Sequence, residues 1–179
     1  MKASELQINI DDKLSAAFNF LDDFFDSGLP KEHRKDLKKW RFHVINDEQY
    51  NGRHGAGHVF LVYEETIQLI EIAHTLMGHN EISTAAIDVT EDDIEQEKMD
   101  WIYFPTNLSQ KELVDPFKTI EIFFESTTVD QYKDLLHEWL RVALSNKAAL
   151  EMLSAKEIID VYDKLRKLYS AAWLIHQRK

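Results

Sequence analysis

Apolar residues recur every three or four positions along most of this chain, and that spacing constrains its fold more than any other feature. Leu14, Ala17, Phe18, Leu21 and Phe25 follow it, as do His33, Leu37, Trp40 and Val44. Tyr63, Ile67, Ile70, His74 and Met77 make a third stripe, and Phe117, Ile120, Phe123 and Phe124 a fourth. Tyr132, Leu136, Trp139 or Leu140, and Ala143 give a fifth; Ile158, Tyr162, Leu165, Tyr169 and Ala172 give a sixth. A 3.6-residue period puts each set on one side of an α-helix, and that side must be covered by another. The expectation is a mainly α fold, a single bundle of five to six helices in one domain spanning residues 1–179.

Local signals place the ends. Leu6, Ile8 and Ile10 alternate with polar residues and read as a short strand or extended lead-in, with Asp11 or Asp12 capping the first helix. Gly28 and Pro30 end that helix, and a second runs from about Lys31 to Val44. A third spans about Ala56 to Met77, with Gly78 as its stop, and is apolar over so much of its circumference that it belongs at the centre. Asp115-Pro116 reads as N-cap and first residue of a fourth helix. Thr127 or Thr128 caps a fifth, and Ser154 with Glu157 forms a capping box for a sixth. Leu108 to Val114 reads as a short turn, with Ser109 and Glu112 in the same register. Residues 79–107 break the pattern. Met99 to Phe104 and Thr84 to Thr90 suit a small β-hairpin near residues 84–104. The acidic run between residues 88 and 100 reads as a solvated loop, or as a surface that binds a basic partner or mimics nucleic acid.

Composition narrows the chemistry. The chain has no cysteine, which excludes disulfides, zinc knuckles, iron–sulfur clusters and a thiol nucleophile. Its N-terminal residues lack an apolar signal region, and its richest apolar stretch, His58 to Met77, is broken by Glu64, Glu65, Gln68 and Glu71. The expectation is a cytoplasmic protein with no membrane association and no cofactor. Formal net charge is −11, a sign that opposes unspecific binding to nucleic acid or anionic lipid. The charge is uneven, however. Residues 31–41 hold six Lys/Arg against Glu32 and Asp36, while the remaining chain has 15 Lys/Arg against 30 Asp/Glu.

Three of the five glycines fall in Tyr50-Asn51-Gly52-Arg53-His54-Gly55-Ala56-Gly57-His58. The order of the glycines fits neither a Walker loop nor a dinucleotide fingerprint, and a helix precedes them. The bland reading is a polar interhelical loop. Arg53 and His58 also pair a cation for phosphate charge with a base for a 2′-hydroxyl proton, the needs of metal-free RNA cleavage. This Arg-x4-His spacing, with polar His54 after the arginine, resembles the motif of HEPN domains, small all-helical proteins of which many are ribonucleases. The resemblance implies Arg53 on the phosphate, His58 as general base, and a dimer that builds the site.

Two further patterns carry chemistry. Glu71-x-x-His74 and Asp134-x-x-His137 each set a carboxylate one turn from an imidazole, as di-iron helical bundles do. The simpler reading makes His74 a hydrogen-bonded core histidine and Glu71 a solvated residue, with no metal bound. On the second helix Lys31, Arg34, Lys35, Lys38 and Arg41 lie opposite the apolar stripe. That basic face steers RNA or phosphate toward the glycine loop, with His54 among its binding residues, or docks an acidic protein, or is merely solvated. The sequence therefore favours a non-catalytic interaction or regulatory module that binds a protein or itself, with nucleic acid admitted only through residues 31–41. The alternatives are a HEPN-like ribonuclease or nucleotide-binding domain using Arg53 and His58, and a carboxylate–histidine metalloprotein.

Overall fold

A computed structural model describes residues 2–46 (backbone only to residue 11), 49–51, 55–78, 89–145 and 154–179. Among these residues it holds eight α-helices and no strand: α1 (Lys2–Ser27), α2 (Pro30–Ile45), α3 (Gly55–Met77), α4 (Glu91–Asp100), α5 (Gln110–Val114), α6 (Pro116–Phe124), α7 (Val129–Ala143) and α8 (Ala155–Arg178). The fold is mainly α, as the spacing requires. None of these helices is long and apolar enough to cross a membrane.

The caps work as their residue types dictate. Thr128 with Gln131, Ser154 with Glu157 and Ser109 with Glu112 each satisfy two otherwise orphaned N–H groups reciprocally. The Asp115 carboxylate accepts from Lys118 N–H, with Pro116 at the first helical position, where no N–H is needed. Pro30 plays that part in α2.

The helix count differs from the expected five to six because of α4 and α5. The hairpin placed near 84–104 is not what the chain forms. Glu91–Asp100 is a helix, residues 101–107 are turns and bends, and residues 84–88 lie outside the described residues. The cause is local: the Thr90 hydroxyl accepts from Asp93 N–H while the Asp93 carboxylate takes the Thr90 N–H, and three acids in the first turn suit the positive end of the helix. The extended lead-in is also helical. Leu6, Ile10, Leu14 and Phe18 are spaced by four, so an alternating pattern there also fits a helix, and α1 runs through Asp11 and Asp12 without a cap. Gly78 ends α3 without left-handed geometry; its N–H bonds back to His74 C=O at 3.3 Å.

α3 and α8 form the centre. α3 packs on α1, α2, α6, α7 and α8, and α8 packs on α1, α2, α3, α5 and α6. Trp40 and Trp139 meet edge to face at 5.6 Å in the core, and Phe123 stacks on Tyr132 at 4.2 Å. α3 is turned relative to the expected stripe. Its buried face is Val59, Val62, Thr66, Leu69, Ile70, Ala73 and Leu76, while Tyr63, Ile67 and Met77 are half-buried and His74 is exposed. A helix apolar nearly all round gives no preferred face, so its neighbours choose. A second, smaller apolar cluster of Ile94, Leu108, Leu113 and Leu174 ties α4 and α5 to the end of α8.

Candidate functional site

The basic residues of α2 gather into a groove. Lys31, Arg34, Lys35, Lys38 and Arg41 follow helical spacing on α2, and α8 closes the other side with Ile159, Tyr162, Asp163 and Arg166. The groove encloses about 660 Å³. Six cations line it against the carboxylate of Asp163, which lies 3.4 Å from Arg166. The Tyr162 ring is its floor. The Arg41 guanidinium stacks over that ring at 4.4 Å and that of Arg166 at 5.6 Å, a cation–π arrangement that fixes planar charged groups in place. Arg41 Nε is buried and has no hydrogen-bond partner among the described residues. Arg34 Nε donates to Pro30 C=O at 3.2 Å. Burial and then the charge of Arg166 make the Arg34 guanidinium less basic than usual.

A second depression lies against another side of α2 and shares Lys35 with the groove. It encloses about 450 Å³ and is lined by residues that include His33, Asp36, His58 and Glu65. His58 Nε2 lies 3.2 Å from Asp36 Oδ1, both side chains partly buried. Burial raises the Glu65 carboxyl above its ordinary value; His33 and His58 oppose this, and the Asp36 charge adds to it. His33 is packed rather than poised. Its ring stacks on Phe24 at 4.2 Å and its Nε2 lies 3.1 Å from Phe24 C=O, which requires the proton on Nε2. Gly28 makes room for that ring, since a Cβ there would lie 3.0 Å from Nε2. Chemically, the cleft offers an imidazole oriented by a carboxylate, and the groove offers a row of donors for carboxylates or phosphates.

The other expected residues fall as follows. Arg53 and His54 lie outside the described residues. Glu71 is bound to Lys133 at 2.6 Å across α3 and α7. His74, expected in the core, is exposed and meets Phe124 edge-on at 5.2 Å. His137 faces Tyr63 at 6.4 Å, and Asp134 is exposed. Among the described residues no three His, Asp or Glu cluster to hold a metal, so Glu71, His74, Asp134 and His137 are not brought together as ligands. The sequence reading missed Asp36, Glu65, Tyr162 and Arg166. Tyr162 and Arg166 stand four apart on one helix, a visible pairing, but nothing local says that α8 lies beside α2. No family model matches the chain, and no curated protein or solved structure matches it.

Proposed function

We propose that this chain is a non-catalytic helical interaction module that docks an acidic segment of a protein partner in the groove between α2 and α8. The observation that carries this reading is the charge of the groove: among the described residues, six cations stand around a tyrosine floor, with Asp163 as the one carboxylate lining it. Like charges held this close repel, and an arriving carboxylate relieves the repulsion while accepting directional guanidinium hydrogen bonds. Long nucleic acid fits less well. Outside residues 31–41 the chain carries twice as many acids as bases, and such a field repels an extended polyanion. A short acidic segment meets only the groove. The test is fluorescence anisotropy with a fluorescein-labelled poly-glutamate peptide. The double variant Lys35→Glu, Lys38→Glu lowers affinity by about tenfold or more, two exposed charges of the groove having been reversed. Unchanged affinity, or tighter binding of a single-stranded RNA of equal charge, overturns the reading.

One observation favours a second reading. His58 stands 3.2 Å from Asp36 in a cleft beside Glu65. In a HEPN-like, metal-independent ribonuclease His58 is the base, Asp36 orients its ring, and Arg53 holds the phosphate. On this reading His58→Ala abolishes RNA cleavage assayed in EDTA and keeps the helical circular dichroism. A wild-type protein that leaves varied RNAs intact sinks it.

A further inference from the structure

We infer that the acidic segment suited to the groove is carried by this chain itself: α4 of one copy docks between α2 and α8 of another. The inference rests on the groove reading above and goes further by naming the partner as a second copy.

α4 is the groove's complement in sign and length. Of its six carboxylates Asp93 closes the cap with Thr90 and Glu97 meets Arg178, which leaves Glu91, Asp92, Glu95 and Asp100 toward solvent, where the groove, among the described residues, holds six cations against Asp163. Ten residues of α4 and the eleven from Lys31 to Arg41 both extend for about 15 Å at the α-helical rise. The faces of α4 are already divided. Ile94 is buried in the small core, and Glu97 turns inward onto Arg178, so that side is taken. Glu91, Asp92, Glu95 and Asp100 are exposed. Asp92, Glu95, Gln96 and Met99, at spacings of three and four, form the stripe facing away from Ile94.

Apolar exposure matches too. Met99 is 73 % exposed and Ile102, just past the helix, 89 %. Isolated exposed residues of this kind are ordinary, but these two cap an acidic face. The groove offers Ile159, itself 41 % exposed, next to the Tyr162 ring. The helix cannot serve the groove of its own chain with this stripe. Its inner side is anchored to α8 by the Glu97–Arg178 pair and Ile94, so the stripe points outward to another molecule.

Donor and acceptor are different surfaces, so the contact is heterologous. It closes as a reciprocal pair or ring, or continues as a chain. One short helix buries little area, which makes the association weak and dependent on salt.

The experiment is sedimentation velocity on the full chain. The wild type associates reversibly with concentration at about 0.05 M ionic strength and returns to monomer at about 0.5 M, where screening is strong. The groove variant Lys35→Glu, Lys38→Glu and the helix variant Glu95→Lys, Asp100→Lys are each monomeric alone. Mixed in equal amounts they associate again, because the mixture pairs an intact groove with an intact α4. Circular dichroism confirms that both variants remain helical. A wild type that stays monomeric at low salt, self-association that survives in either variant, or a mixture that fails to associate overturns the inference. The poly-glutamate titration separates the two ideas. If the peptide binds the wild-type groove but the chain does not self-associate, the second copy is rejected and the acidic-segment reading stands; if neither occurs, both fall.

Discussion

Thr66 carries a hydroxyl into the middle of the core, where water cannot reach it. Its Oγ1 donates to Val62 C=O at 2.6 Å and lies 2.8 Å from Tyr169 Oη. The single threonine proton is spent on the carbonyl, so the Tyr169 hydroxyl is the donor in the second contact. Burial pushes the Tyr169 phenol well above its ordinary value. Thr66→Val keeps the shape and leaves the Tyr169 hydroxyl without its partner. The expected loss is about 1–3 kcal/mol, read from the urea midpoint. Thr66→Ser, which retains the hydroxyl, loses the methyl but keeps that bond. A Thr66→Val protein as stable as the wild type contradicts this account of the pair.

At the scale of an element, the start of α3 separates two glycines that look alike in the sequence. Gly55 has φ +70°, a conformation that costs an L-residue strain, while Gly57 is in ordinary helical geometry. A Cβ at either position meets nothing within 4 Å, so backbone energy alone decides. Gly55→Ala destabilises by about 1 kcal/mol. Gly57→Ala stabilises by about 0.5–1 kcal/mol, through helix propensity and a less mobile unfolded chain. Opposite shifts in thermal midpoint are the measurement, and shifts of the same sign sink the distinction. Capping explains the remaining element boundaries. Thr90 with Asp93 starts α4 inside an acidic run that otherwise reads as solvated loop, because three carboxylates at a helix N-terminus lower its energy.

Across the whole molecule, two apolar clusters of unequal size are joined through α8. The smaller one is held by Arg178, whose side chain is 4 % exposed. It forms two hydrogen bonds with the Glu97 carboxylate, at 2.7 and 2.6 Å, and donates to Leu113 C=O at 2.7 Å. Removing one partner of such a pair strands the other. Arg178→Ala is expected to cost α4 and α5 about 3 kcal/mol of local stability. Hydrogen exchange should then speed up in Glu91–Asp100 and Gln110–Val114 while α3 and α7 keep their protection. Uniform loss of protection would mean that the two clusters unfold as one. The same arrangement holds α4 with its acidic stripe outward, the premise of the self-docking inference.

How much was legible follows from the range of each interaction. Stripes and caps are set within about four residues, so α2, α6, α7, α8 and their buried faces were readable from spacing alone. The basic face of α2 was readable for the same reason. α1 and α4 misled because alternation and acidity each admit two local solutions, and α3 because an all-apolar helix does not select its own face. The other wall of the groove was not legible. The floor, Tyr162, and the sixth cation, Arg166, are over 100 residues from Arg41 in the chain. Only the packing of α8 on α2 sets them beside it, and only the packing of α3 near α2 sets His58 against Asp36. The sequence by itself determined which segments coil and which side of most of them seeks cover. Tertiary structure decided which charges face one another, since that depends on the neighbours each helix finds.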